Sequence, residues 1–296
     1  MSANEKSLYN RILAAVPLHI EGHPAVSRAI NIAQRTHGEV TLVHVIEHAD
    51  EKTDSARRYV ERLMSLQPLV RDMRLVSGRT WSAINDVAQA INASLVVIGS
   101  HVHGQLRALL GSTSDSILHH ADRDILLVRS EIYNDQRPPE DYSRILAAVD
   151  VNRPSQRIVD KAAALAKTYG AHLTLLNVVE HYPVNRENED ITPEDHDPVQ
   201  YQHSVRIEIL SKMAEATGYT EVAQEVLLTD GAAGRAVSDY AKEQAVDLIA
   251  IGAHGNYGVD ALFGATADAI AHRAPCDVLV VASEHPEGFP DGQNGQ

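Results

Sequence analysis

The chain is short of several things. It has one cysteine, Cys276, one tryptophan, Trp81, and two phenylalanines. A lone cysteine excludes an intramolecular disulfide and any zinc cluster built on thiolates, and it accords with a reducing compartment. Bases are in deficit: 26 Lys and Arg stand against 40 Asp and Glu, a formal net charge of −14. Such a balance opposes non-specific attraction to nucleic acid or to an anionic membrane surface. No apolar run approaches the ~18–20 residues a membrane-spanning helix needs. The opening MSANEKSLYNRIL has no apolar stretch of signal-peptide length. The expectation is a cytoplasmic protein with neither nucleic acid nor membrane as partner. What is present is ordinary: 44% hydrophobic and 22% charged residues over a length of 296, enough for two domains of roughly 130–150 residues, each with its own core.

Self-comparison shows a duplication. Arg11-Ile-Leu-Ala-Ala-Val16 recurs as Arg144-Ile-Leu-Ala-Ala-Val149, and Val40-Thr-Leu-Val-His-Val-Ile-Glu-His48 as Leu173-Thr-Leu-Leu-Asn-Val-Val-Glu-His181. Leu95-Val-Val-Ile-Gly-Ser-His101 matches Leu248-Ile-Ala-Ile-Gly-Ala-His254, and Asp124-Ile-Leu-Leu-Val128 matches Asp277-Val-Leu-Val-Val281. The offset is 133 residues in the first two blocks and 153 in the last two, so the second copy carries about twenty extra residues after its second strand. From Glu180 to Asp197 seven acids accompany one arginine, with prolines nearby, as expected of a solvated loop before a helix near Gln200. The expected division is a first domain 1–132, a linker 133–142, a second domain 143–285 with an acidic insertion at about 181–199, and a disordered tail 286–296.

In each half short β-branched runs alternate with helical periodicity, the pattern of strands buried on both faces by helices. Half one reads as strands at 11–16, 40–46, 72–76, 94–98 and 124–128, with helices at 23–36, 52–66, 80–91 and 112–121. The fold class is α/β, with doubly wound parallel sheets whose ligands sit beyond the carboxyl ends of strands where the order reverses. At that end the second half has Gly252-Ala-His254-Gly255 and, eight residues later, Gly264-Ala265-Thr266 at a helix start. Glycine corners allow close backbone approach, and a helix N-terminus offers unpaired N–H groups to phosphate. The same residues also suit a plain strand–turn–helix without ligand. Half one has Val102 in place of the second glycine, and Ser112 with Asp115 fits a capping box.

The chain resembles a tandem universal stress protein, two copies of that family's domain in one polypeptide. The likeness rests on the first strand ending in Asp150, the second ending Asn-Val-Val-Glu-His181, the turns at Gly78 and Gly231, and the late Gly-x-x-Gly…Gly-(Ser/Ala)-Thr loop. It implies two five-stranded sheets of order 3-2-1-4-5 that pair through their last strands as an intramolecular pseudo-dimer. For the members that bind ATP it implies an acid closing the first strand, backbone near the end of the second strand at the base, and the glycine loop at the phosphates. Carried over, these are Asp150, Val178, Gly252, His254, Gly255, Gly264, Ala265 and Thr266. Two departures stand beside them: the loop spacing is eight rather than nine, and Ala265 replaces a hydroxyl. Half one departs further, with Pro17 for the acid, and Trp81 stands where half two has Gly234, in space a ligand would need.

The function expected is a non-enzymatic stress-response or ligand-sensing module, with ATP or another nucleotide as ligand of the second half. Its alternative is an interaction scaffold, or a binder of another small apolar ligand. A remoter reading starts from His19-Ile-Glu-Gly-His23, which compares with the His-x-Gly-His signature of nucleotidyl-transferring enzymes but is one residue too long. Sixteen histidines raise metal binding, yet adjacent His119 and His120 on a helix point in different directions, and no metal is expected. No nucleophile elbow, phosphate-binding Gly-Lys-Ser/Thr loop or lysine beside the glycine loop is present. The sequence leaves open a further homodimer and the identity of any protein partner.

Overall fold

The computed structural model describes residues 8–16, 23–46, 58, 61–62, 64–65, 67–100, 112–119, 122–129, 132–133, 140–152, 155–180, 198–253 and 263–282. The strands are β1 (Arg11–Ala15), β2 (Glu39–Ile46), β3 (Val70–Ser77), β4 (Leu95–Gly99), β5 (Asp124–Val128), β6 (Arg144–Ala148), β7 (His172–Glu180), β8 (Val222–Thr229), β9 (Leu248–Gly252) and β10 (Asp277–Val281). The helices with bounds are α1 (Pro24–Thr36), α2 (Thr80–Ala90), α3 (Ser112–His119), α4 (Gln156–Tyr169), α5 (Pro198–Thr217), α6 (Ala233–Glu243) and α7 (Ala265–Arg273). The expected helix at 52–66 and the tail fall wholly or largely outside the described residues, and so does nearly all of the acidic insertion.

The ten strands form one sheet in the order β3-β2-β1-β4-β5-β10-β9-β6-β7-β8. Within each half all pairs are parallel; at the centre β5 and β10 run antiparallel, with Leu126 opposite Leu279. The two sheets expected from the repeat are thus fused edge to edge, which removes the unpaired hydrogen-bonding edge that either half would otherwise expose. Strand residues alternate between two cores: Ile12, Ala14, Ile145 and Ala147 pack with α1 and α4, while Leu13 and Leu146 pack toward the side of α2, α3, α6 and α7. Both cores run continuously across the join, so the halves share apolar burial as well as a ladder.

Local chemistry sets the helix ends. Pro24 opens α1 at a position where its missing N–H costs nothing. His23 caps the same turn, its Nδ1 accepting from Ala25 N–H at 3.2 Å. Gly170 ends α4 in the left-handed conformation, φ 67°. No helix among the described residues is long and apolar enough to cross a membrane.

The join is held by polar groups in pseudo-symmetric pairs. Asp124, opening β5, accepts from Ala282 N–H just past β10 at 3.1 Å; Asp277, opening β10, accepts from Arg129 N–H just past β5 at 3.0 Å. Tyr9 donates to Asp124 at 3.0 Å and its repeat mate Tyr142 to Asp277 at 2.9 Å. Tyr133 adds a third donor to Asp277 at 3.1 Å. The segment expected to be a plain linker therefore has both its end residues, Tyr133 and Tyr142, built into the join.

Candidate functional site

The switch point of the second half lies at the carboxyl ends of β6 and β9. Ala147 is level with Ala250 in their parallel register, and Asp150 and Ala253 follow just past the ends of the two neighbouring strands. Asp150 is exposed, and its Oδ1 accepts from Asn152 N–H at 2.9 Å, the Asx turn that carries the chain away from the strand. Ser155, at the start of α4, donates its hydroxyl to the Asp150 carbonyl at 3.0 Å and so anchors the turn to the helix. Gly252 closes β9 where a Cβ would lie 3.0 Å from Ile158 Cδ1 on α4; glycine lets the strand end pass tightly under that helix.

Beyond Ala253 the chain returns at Phe263 and Gly264. Gly264 N–H donates to the Ala253 carbonyl at 3.4 Å, tying the start of α7 to the end of β9. Gly264 is the N-cap, and no side chain caps the helix. The first intrahelical bond of that turn runs from Asp268 N–H to Gly264 O at 2.8 Å, so the N–H groups of Ala265, Thr266 and Ala267 precede it. Ala265 and Thr266 are exposed. Three backbone donors with a positive dipole end suit a bound anion. His254 and Gly255 lie outside the described residues.

Val178, half-buried, pairs with Leu227 and packs into the core on the α6 and α7 side of the sheet. The residue before it does more. Asn177, 3% exposed, donates from Nδ2 to the Val149 carbonyl at 2.7 Å and accepts from Arg206 Nη1 at 3.0 Å. Arg206, on α5, keeps a buried Nε with no hydrogen-bond partner. A cation next to the strand end that carries Asp150 is a feature that sequence reasoning misses. Its signal is faint, because Arg206 lies in a long helix without a sharply amphipathic pattern, 29 residues from Asn177. Glu180 counts with the acidic insertion by composition; its Oε1 instead accepts from Ala233 N–H and caps α6.

Two residues singled out in the first half, Trp81 and His23, can be placed. Trp81 lines a small cavity with Ile84, Val96, Ile117 and Ile125, among others, on the face between α2, α3 and the sheet. It packs against the core in the gap between those helices; residues 101–111, beyond β4, lie outside the described residues. The second half closes the same gap differently. At Gly234 a Cβ would stand 2.7 Å from Ala269 Cβ and 3.0 Å from Thr266 O, so α6 and α7 touch through their backbones. His23 is 2% exposed and is engaged as the α1 cap, which leaves it poorly placed to meet a phosphate; His19, Pro17 and Val102 lie outside the described residues.

Comparison with known proteins agrees with this architecture. The model of the universal stress protein family matches twice, over residues 8–129 and 141–282. Universal stress protein A homolog 1 of Coxiella burnetii is 36% identical over 141 residues, 47% of this chain and 96% of that protein. A crystal structure of a putative universal stress protein from Pseudomonas aeruginosa superposes with TM-score 0.70 over 93% of each chain at 19% identity. A universal stress protein structure from Archaeoglobus fulgidus gives 0.63 over 94% of this chain and 99% of that one, at 17% identity. With two matches to the family model on two halves of one continuous sheet, the chain belongs to the universal stress protein family and carries its domain in tandem.

Proposed function

We propose that the chain is a binding module of the stress response whose second half takes ATP or a closely related adenine nucleotide, while its first half serves mainly as structural partner. The observation that carries this reading is the start of α7, without a side-chain cap and tied through Gly264 to the end of β9, the strand beside β6 with Asp150 just past its end. In this reading the N–H groups of Ala265, Thr266 and Ala267 receive phosphate oxygens. Asp150 receives ribose hydroxyls, and backbone near Val178 meets the base. Arg206 supplies positive charge beside Asn177. Among the described residues of the set none pairs a nucleophile with a base, and the role proposed is to bind rather than to turn over. Binding is weak, since Ala265 contributes no hydroxyl and Asp150 Oδ1 is already engaged by Asn152.

Mass spectrometry of small molecules released from natively purified protein, followed by equilibrium dialysis with ATP, tests the reading. Asp150→Asn keeps the turn acceptor and removes the charge; it is expected to weaken ATP binding about tenfold, the loss of roughly one charge-assisted hydrogen bond. No uptake at millimolar ATP would favour the alternative, an interaction scaffold or a receptor for another small ligand.

A further inference from the structure

Outside the switch point, one cluster of metal-ligating side chains spans the join between the halves. Helices α3 and α7 occupy equivalent places in the repeat, and each carries Asp-x-x-x-His: Asp115 with His119, and Asp268 with His272. Residues four apart share a helix face. His119 Nε2 lies 3.5 Å from Asp115 Oδ1, and His272 Nδ1 lies 3.3 Å from Asp268 Oδ1. By sequence His119 is set against its neighbour His120; the fold instead pairs it with an acid one turn earlier and brings that pair toward its duplicate.

Across the join, one ligand atom from each of Asp115, Asp268 and His272 lies within 4.8 Å of the other two. His119 also reaches the second half, its ring edge-to-face on Phe263 with centroids 5.5 Å apart. Two carboxylates from different halves thus face one another, each with an imidazole nitrogen of its own helix within 3.5 Å. Like charges at this separation call for a counter-charge between them. The His272 ring is already oriented, because its Nδ1 donates to the Asp268 carbonyl at 2.9 Å, which fixes the tautomer and leaves Nε2 with a lone pair. None of the four side chains is more than half exposed.

We propose that Asp115, Asp268 and His272 form a site for a divalent transition-metal ion of the zinc type, with His119 as the second imidazole, clasping α3 to α7. Mixed imidazole and carboxylate donors select zinc, cobalt or nickel over the hard cations magnesium and calcium, which prefer all-oxygen shells. The site needs both halves, two ligand positions from each, and so exists only when the halves are paired. An ordinary use of the same residues, acids in the first turn and histidines in the last turn complementing the helix dipoles, requires no ion.

The test uses the full chain without a histidine tag, stripped with chelator and titrated with ZnCl2 by calorimetry and with CoCl2 by visible absorption. One zinc equivalent tighter than the remaining histidines provide, intense cobalt bands of a four-coordinate site, and a rise in melting temperature with zinc are expected. His272→Gln and Asp115→Asn should each weaken that equivalent at least tenfold and abolish the thermal shift, while melting like the parent without metal. Parent and variants binding zinc alike, or no zinc equivalent at all, would overturn the proposal. If both variants fail to fold, a parental cobalt spectrum indistinguishable from the hydrated ion overturns it by itself.

Discussion

The Arg28 guanidinium on α1 of the first half donates from Nε to Asp277 Oδ2 of the second half at 3.0 Å, with side chains 2% and 0% exposed. The duplicate of this contact runs in the opposite direction: Lys161 on α4 reaches Asp124 of the first half at 3.0 Å. Each cation also lies over a tyrosine ring, Arg28 on Tyr142 at 4.0 Å and Lys161 on Tyr9 at 4.9 Å. Burial raises the Asp277 carboxyl above its ordinary value, against the lowering exerted by Arg28, the Arg129 N–H and the hydroxyls of Tyr142 and Tyr133. Each half therefore holds the strand-opening acid of the other.

This clasp predicts unequal costs at equivalent positions. Arg28→Met leaves Asp277 as a buried acid without its cation and is expected to destabilise the protein by about 3–5 kcal/mol. Lys161→Met should cost less, because Lys161 is 22% exposed and Arg157 stands 3.8 Å from the same carboxylate. Urea unfolding of both variants measures the difference. Equal losses would show that burial of the pair does not set its worth.

A second expectation concerns alkaline pH. Burial raises Tyr9 and Tyr142 well above the ordinary phenol value, and Tyr133 and Tyr169 are also raised, chiefly by burial. Their folded values exceed their unfolded ones, so their contribution is full below pH ~10 and is lost as pH rises through the folded values. Ultraviolet titration should show these four of the ten tyrosines resisting ionisation until the chain unfolds. All ten titrating near pH 10 in the native protein would contradict the burial assigned to them.

Gly234 fixes the approach of α6 to α7, the helix whose N-terminus forms part of the candidate site. Gly234→Ala places a methyl against Ala269 and the Thr266 carbonyl and should destabilise by about 1–3 kcal/mol, the range for overpacking. Because the shift falls on α7, it should also weaken nucleotide binding. Thermal denaturation and dialysis with ATP measure the two effects. A stable variant with unaltered binding would mean that α7 yields without consequence.

Arg206→Met keeps the Asn177 bond to the Val149 carbonyl and removes the cation. If Arg206 serves the nucleotide, ATP affinity falls about tenfold, equivalent to ~1.4 kcal/mol, with little change in melting temperature. A loss of stability at unchanged affinity would reassign it to holding α5 on the sheet.

The repeat, the alternation of strand and helix and the glycine loop are legible in the chain because each is local or periodic. Gly252, Gly264, Ala265 and Thr266 can be picked out because strand ends and helix starts have local signatures, whereas Asp150 is singled out by the family resemblance. Trp81 is not legible in the same way: its place in the repeat suggests ligand space, but a position in a repeat does not reveal which neighbour a ring packs against.

The amino-acid order by itself determined a duplicated α/β domain and the strand ends at which a ligand would gather, since burial on both faces and chain reversal leave short-range patterns. The family resemblance implied that the last strands, β5 and β10, pair; only the tertiary structure decided that their antiparallel ladder makes one ten-stranded sheet, that Arg28 holds Asp277, and that Asp115 meets Asp268 and His272. Those partners lie between about 150 and 250 residues apart in the chain, and nothing but packing across the pseudo-two-fold brings them together.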